Sequence, residues 1–149
     1  MAQRVNRSGF ADARCQRLVL RGDVVLIAFF GVMAWRISTA IRRESHIFAE
    51  FNQPRSLAFL VLLFPLGPLV LFFAALLPLL AWPLAAACFV PALVVSRQRI
   101  YVFERAGTDR VRAARTASSH AFGTSILGLS YIAIHVVLTL TFAGYAASA

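Results

Sequence analysis

The sequence predicts an all-α integral membrane protein with four transmembrane helices, including a Pro-rich helical hairpin, and short amphipathic or basic surface helices. The main observation is Leu57–Val95, a run of 39 residues without a charged side chain. Two further apolar stretches, Val24–Ile41 and Ala121–Ala147, lie on either side of it. The hydrocarbon core of a bilayer is about 30 Å thick, and about 20 apolar helical residues cross it. As one helix, Leu57–Val95 would extend about 58 Å, which is enough for two crossings.

The composition predicts a single membrane domain over residues 1–149. The chain is 60% hydrophobic, and its polar segments are each too short to enclose a core of their own. These segments are Met1–Gly22, Arg42–Ser56 and Ser96–His120. The net charge of +9 results from 15 arginines, no lysine and six acidic residues, and arginine beside apolar spans suits anionic lipid headgroups. Nucleic-acid binding is not expected, because no aromatic platform accompanies the scattered arginines.

The basic N-terminal segment, residues 1–22, is predicted to form a helix that lies on headgroups or against an acidic partner. Its five arginines share one sector of a helical wheel, but the opposite sector is not apolar. A frayed basic tail is the alternative. The residues predicted to bind lipid or a partner are Arg14, Arg17 and Arg21. Asp23 follows as the predicted N-cap of the first span.

The first span, Val24–Ile41, has 18 residues and contains one charged side chain, Arg36. Trp35 beside it is typical of a membrane interface, and a long arginine side chain can reach the headgroups from this position. Arg36 is therefore predicted to contact lipid. An ion pair with a carboxylate of another subunit is the alternative.

The next segment places His46 and Glu50 four residues apart, on one face of a helix. Glu44 could supply a third metal ligand. However, a metal site needs three or four ligands, and an interfacial helix explains the same residues. No metal site is predicted.

The hairpin arms are predicted at Leu57–Leu76 and Leu79–Val95, with the reversal near Leu77–Pro83. Five prolines lie in this region, and a proline inside a helix removes a hydrogen bond and favours a kink. The charge pattern favours a different topology. With Arg36 left out because it lies within a span, two crossings divide the other arginines five against nine between the membrane faces. One crossing divides them eleven against three, as the positive-inside rule prefers. We expect two crossings, because so long an apolar run must be buried.

The segment Ser96–His120 is predicted as a basic loop, into which the third helix extends until Gly107 ends it. A short basic helix, capped by Thr108 or Asp109, is predicted to follow. Within this segment, Arg97 and Arg99 are predicted to bind lipid or a partner. Ser118-Ser119 is the predicted cap of the last span.

The last span, Ala121–Ala147, carries small and hydroxyl-bearing residues at helical spacing, which favour close helix packing in lipid. The predicted packing residues are Thr124, Gly128, Tyr131 and Thr139. His135 lies on the same stripe near mid-membrane, where ionisable groups are candidates for function. It is either an axial ligand of haem or chlorophyll, or a neutral histidine hydrogen-bonded within the chain or to a neighbour.

The sequence predicts no enzyme, because it lacks GxSxG, HExxH and a Gly-rich phosphate loop. The predicted function is a non-catalytic structural or accessory subunit of a multi-subunit membrane complex. We expect an energy-transducing complex, respiratory or photosynthetic, in the mitochondrial or bacterial inner membrane. Its partners would be other membrane subunits and anionic phospholipids, and no cofactor is expected. The alternatives are a subunit that binds haem or chlorophyll through His135, and a small oligomeric channel.

Overall fold

The computed structural model describes residues 6–51, 56–73, 78–107 and 109–148. It is 91% helical, and these ranges contain no strand, so the all-α prediction is confirmed. A 3-10 turn, Asp109–Val111, precedes the last helix. The α-helices in chain order are α1 Asn6–Arg43, α2 Ser45–Glu50, α3 Ser56–Val61, α4 Leu66–Phe72, α5 Pro78–Ala87, α6 Val90–Ala106 and α7 Arg112–Ser148.

Within the described residues, three helical stretches are long and apolar enough to cross a membrane, which is consistent with an integral membrane protein. They are Val24–Arg43 within α1, Leu80–Ala106 across α5 and α6, and Arg112–Thr141 within α7. A fourth apolar segment, Ser56–Phe72, is shorter, and a turn at residues 62–65 divides it into α3 and α4. Length and composition therefore support three of the four predicted spans.

The first helix is longer than the sequence predicts. α1 runs without a break from Asn6 to Arg43, so the predicted N-cap at Asp23 is wrong. A glycine inside a helix costs about 1 kcal/mol relative to alanine, whereas starting a new helix carries the separate cost of nucleation. A helix that continues through Gly22-Asp23 therefore costs less free energy than two separate helices would. The basic segment and the first span thus form one rod of 38 residues.

The segment predicted as a basic loop, Ser96–His120, is mostly helical. α6 continues through its first part and ends where Gly107 adopts a φ of 60°, a left-handed conformation that glycine accepts at little cost. The predicted end at Gly107 is confirmed. α7 begins at Arg112 and passes through Ser118-Ser119 without a break, so the predicted cap there is wrong. The Ser118 hydroxyl instead donates to the carbonyl oxygen four residues earlier, 3.0 Å away.

Prolines begin two of the helices in the central apolar segment. Pro78 is the first residue of α5, and Pro91 lies in the first turn of α6, where the missing N–H group has no helical acceptor to lose. Pro83 lies inside α5. Because residues 78–83 are helical, they do not form the reversal predicted near Leu77–Pro83, and residues 74–77 lie outside the described ranges.

Phe89, in the turn between α5 and α6, lies at the centre of the core. Its buried ring stacks on Phe64 at a centroid distance of 5.2 Å and contacts Phe30 at 5.3 Å. Gly67 in α4 and Gly128 in α7 face this ring so closely that a Cβ atom on either would overlap it. One aromatic side chain therefore joins α1, α4 and α7, and the two glycines make the space for it.

Candidate functional site

An arginine side chain is enclosed where α2 meets α6. Arg99 is 0% exposed, and its Nε, Nη1 and Nη2 atoms make no hydrogen bond within the part of the chain that the structure describes. The guanidinium carbon lies 4.7 Å from the centroid of the Phe48 ring. Such a contact contributes up to about 2 kcal/mol when water is excluded, which is less than the cost of an unpaired buried charge. The burial of Arg99 is therefore electrostatically unfavourable.

Aromatic packing holds α2 over this arginine. Phe48 and Phe51 meet the ring of Phe103 edge-on, at centroid distances of 5.5 and 5.7 Å. A helix of six residues is not stable in water by itself, so α2 forms because its apolar face packs on α6. Phe103 follows Arg99 by one turn of α6. The packing of Phe48 on Phe103 therefore also places the Phe48 ring over the guanidinium group of Arg99.

The arginines predicted to bind lipid or a partner differ in their exposure. Arg36 and Arg97 are exposed. Arg99 is not available to a lipid surface, because protein atoms enclose it. Residues two apart lie about 200° apart around a helix, which explains why Arg97 and Arg99 have opposite environments. The remaining predicted residues, whose side chains lie outside the described part, are Arg14, Arg17 and Arg21.

A basic cleft of about 430 Å³ lies between the end of α1 and the start of α7. Arg36 and Arg43 lie two turns apart on one face of α1, and both line the cleft. Neither makes an ion pair with a described residue. The ion pair that is present in the described ranges joins Arg115 to Glu104 at 3.2 Å, and neither of these residues lines the cleft. The full lining is Trp35, Arg36, Thr39, Ala40, Arg43, Glu44 and Ala113.

The predicted packing stripe of α7 faces the bundle. Thr124 is buried, and Gly128 lies against Phe89. Tyr131 and Thr139 are partly buried. Both threonine hydroxyls donate to the carbonyl oxygen four residues earlier, at 2.8 Å. These hydroxyl groups are therefore satisfied within their own helix, and the stripe presents small, compact surfaces to its neighbours.

His135 is partly buried, and its Nδ1 atom has no hydrogen-bond partner among the residues described. Its ring meets the ring of Tyr131 edge-on at 6.4 Å. The other two histidines, His46 and His120, are both exposed, and His120 is about 22 Å away along α7 at 1.5 Å per residue. One copy of the chain therefore does not bring two histidines to one haem.

A cavity of about 710 Å³ lies beside α2, and its lining includes Glu44, His46 and Glu50. Both His46 and Glu50 are exposed. Within the described ranges, however, no group of three or more His, Cys, Asp or Glu side chains lies close enough to hold a metal ion. We assign no metal-binding role to these residues.

Two features of these sites are missed by sequence reasoning. The first is Arg43, the second arginine of the basic cleft, which its spacing of seven from Arg36 could have revealed. The second is the burial of Arg99, for which the sequence carries no local signal, since the covering residue Phe48 belongs to a different helix.

No family model, no curated protein and no solved structure matches the chain. Its function is therefore inferred from its own geometry and chemistry.

Proposed function

We propose that the chain is a non-catalytic accessory subunit of a larger membrane complex. The observation that carries the proposal is the length of α1. Its 38 residues extend about 57 Å, whereas the hydrocarbon core is about 30 Å thick. With Val24–Arg43 in the membrane, residues 6–23 project about 27 Å beyond it. This projecting arm carries Arg14, Arg17 and Arg21.

A protein partner explains such an arm better than lipid alone. The arm continues the helix of the membrane span, so it needs no separate nucleation. In water, however, it gains no packing energy, and Gly9 and Gly22 each weaken the helix by about 1 kcal/mol. Its sequence offers no wide apolar face that would insert into lipid. Packing against another subunit would supply the missing stabilisation, and arginine side chains suit an acidic surface.

The exposed apolar surface of the bundle supports the same proposal. Only 28% of each candidate span is buried within the chain. On α7, five large aliphatic side chains are more than half exposed: Leu127, Ile134, Val137, Leu138 and Leu140. Lipid or the apolar helices of other subunits must cover this surface.

We further propose that Leu57–Val95 crosses the membrane twice. The support is the contact of Phe48 and Phe51 with Phe103, because these residues lie before and after the apolar run. A single crossing would place them on opposite membrane faces, about 30 Å apart. We give this contact more weight than the arginine distribution, which favours a single crossing.

We also propose which kind of complex the chain belongs to: an energy-transducing one, respiratory or photosynthetic, in the mitochondrial or bacterial inner membrane. It is supported by a short apolar chain without an enzyme motif, joined to a basic arm that suits acidic partner subunits. Anionic phospholipids would contact the exposed arginines at the membrane surface, which include Arg36 and Arg97.

Native separation after extraction in mild detergent tests the proposal. We expect the chain to migrate with other membrane proteins rather than as a 16.3 kDa monomer. Combining Arg14→Glu with Arg17→Glu should release it from the complex. The matched control combines Arg105→Glu with Arg112→Glu, two exposed positions outside the arm, and should not release it. A monodisperse monomer without a partner would contradict the proposal, as would equal release by both pairs.

A second candidate function is the binding of haem or chlorophyll through His135. It is favoured by the buried Nδ1 atom, which has no hydrogen-bond partner in the described ranges, and histidine is a common axial ligand. The test is the visible absorption spectrum of the complex. His135→Ala should remove absorption bands that the exposed-site control His120→Ala retains. An unchanged spectrum with a weakened assembly would make His135 a packing residue.

The channel alternative has less support. Thr124 and Gly128 are buried inside a single chain, so this part of the stripe does not line a pore between copies. Ion flux measured across liposomes that contain the purified chain would support the channel function.

A further inference from the structure

The basic cleft between α1 and α7 has the charge expected of a phosphate site. Arg36 and Arg43 both line it, and both side chains are exposed. Neither is engaged in an ion pair with a residue that the structure describes. Two guanidinium groups on one face of α1 are therefore available to an anion, and each can offer a pair of parallel N–H donors.

The position of the cleft suits a lipid better than a soluble anion. Arg43 is the last residue of the candidate span Val24–Arg43. Arg36 lies about 10 Å from it along the helix axis, in the direction of the membrane interior. Trp35, which lines the same cleft, is 71% exposed, and tryptophan concentrates at the interface between headgroups and acyl chains. The cleft thus extends from headgroup depth into the upper acyl region.

We propose that this cleft binds the phosphate of an anionic phospholipid, with the upper acyl chain against Trp35. The inference rests on the membrane insertion proposed above and identifies the partner of Arg36 and Arg43. The volume of about 430 Å³ lies within the range of about 300–1,000 Å³ that small-molecule sites occupy. The lining therefore has room for a phosphate diester and its glycerol.

Glu44 adds a selectivity element, because its carboxylate lines the same cleft. A carboxylate repels a phosphate group, and the repulsion grows with the charge of the ligand. The site therefore favours the single negative charge of a phospholipid diester over inorganic phosphate, which carries more charge at neutral pH. Removing this carboxylate should strengthen lipid binding.

Trp35 provides a direct measure of occupancy. The chain has two tryptophans, and Trp82→Phe leaves Trp35 as the only one. The full chain is reconstituted in vesicles of phosphatidylcholine and phosphatidylglycerol, with one lipid at a time brominated near the top of its acyl chains. Bromine quenches tryptophan fluorescence on contact. We expect brominated phosphatidylglycerol to quench Trp35 more strongly than brominated phosphatidylcholine at equal mole fraction.

The variants have opposite expected directions. Arg36→Gln and Arg43→Gln should each lower the relative affinity for phosphatidylglycerol about three- to tenfold, since a partly solvated charge pair is lost. Glu44→Gln should raise this affinity. Arg105→Gln removes the same charge from an exposed position on α6 that does not line the cleft, and it should leave the preference unchanged.

Three results would overturn the inference. Equal quenching by the two lipids in the parent protein shows that the cleft does not select an anionic lipid. An equal loss of preference in Arg105→Gln and Arg43→Gln shows a general charge effect. Abolition of the preference by inorganic phosphate at constant ionic strength assigns the site to a free anion. Protein that fails to float with the vesicles would overturn the membrane proposal as well, whereas floating protein without a preference overturns only the lipid site.

Discussion

The guanidinium group of Arg99 lies over the ring of Phe48, with 4.7 Å between the guanidinium carbon and the ring centroid. Both side chains are buried, and they belong to different helices. This contact joins α2 to α6 through a charge that has no hydrogen-bond partner in the described ranges. The stability of this junction is therefore set by two opposed terms, the aromatic contact and the desolvation of the charge.

Replacing Arg99 by Met should stabilise the isolated chain. The substitution removes the charge and keeps an unbranched side chain that can fill the same space. We expect the free energy of unfolding to rise by about 1–4 kcal/mol, as when buried ionic groups are replaced by apolar ones of similar volume. Thermal unfolding in detergent measures the change. A lower stability of Arg99→Met would show that an anionic group outside the described residues pairs with Arg99.

Phe48→Leu measures the aromatic contact itself, because leucine retains most of the apolar burial and lacks the ring. In a double-mutant cycle with Arg99→Met, we expect a coupling of about 0.5–2 kcal/mol. Phe48→Ala should cost about 3–5 kcal/mol, since it also leaves a cavity. A coupling near zero would mean that the ring contributes only its apolar area.

Gly128→Ala should destabilise the chain, because the added methyl group would overlap the ring of Phe89. Overpacking of this kind costs about 1–3 kcal/mol. Gly123→Ala is the matched control in the same helix, since nothing lies within 4 Å of its Cβ position. The control should be neutral or stabilise the helix by about 0.5–1 kcal/mol. Similar melting temperatures for the two variants would contradict the placement of Phe89.

Single-cysteine labelling tests the proposed crossings, in a background without Cys15 and Cys88. Cysteines at Glu50 and Asp109, both exposed, should react with a membrane-impermeant reagent from the same side. Positions Gly22 and Gly144 are also exposed and should react from the opposite side. Labelling of Glu50→Cys and Asp109→Cys from different sides would rule out two crossings of Leu57–Val95.

The ion pair of Arg115 and Glu104 should contribute little to stability, although its atoms are only 3.2 Å apart. The side chains are 51% and 50% exposed, and exposed pairs contribute about 0–1 kcal/mol. Glu104→Gln should therefore shift the melting temperature only slightly, and less still at high salt. A large and salt-independent loss would indicate that other contacts of Glu104 have been lost.

The positions of the apolar helices could be predicted from the sequence, because hydropathy over about 20 residues is a strong local signal. Helix boundaries were less predictable. Gly22-Asp23 and Ser118-Ser119 are favourable residues for the start of a helix, yet both pairs lie inside longer helices. A capping preference is worth about 1 kcal/mol, and the continued hydrogen bonding of a long helix outweighs it.

The contacts of the candidate sites could not be predicted in the same way. The position of Phe89 between Gly67 and Gly128 depends on three segments that are distant in the sequence. The same is true of Arg99, whose burial requires α2 to fold back over α6. Local periodicity predicts which face of a helix is apolar, but it does not predict which other helix covers that face.

The continuity of α1 through Gly22-Asp23 has a mechanical consequence. A helix without a break or a proline behaves as a stiff lever, so a change in the tilt of the membrane span moves the distant end in proportion to its length. With an arm of about 27 Å, a tilt of about 10° displaces the Asn6 end by about 5 Å. Binding of a partner to the arm would therefore be coupled to the angle at which α1 crosses the bilayer.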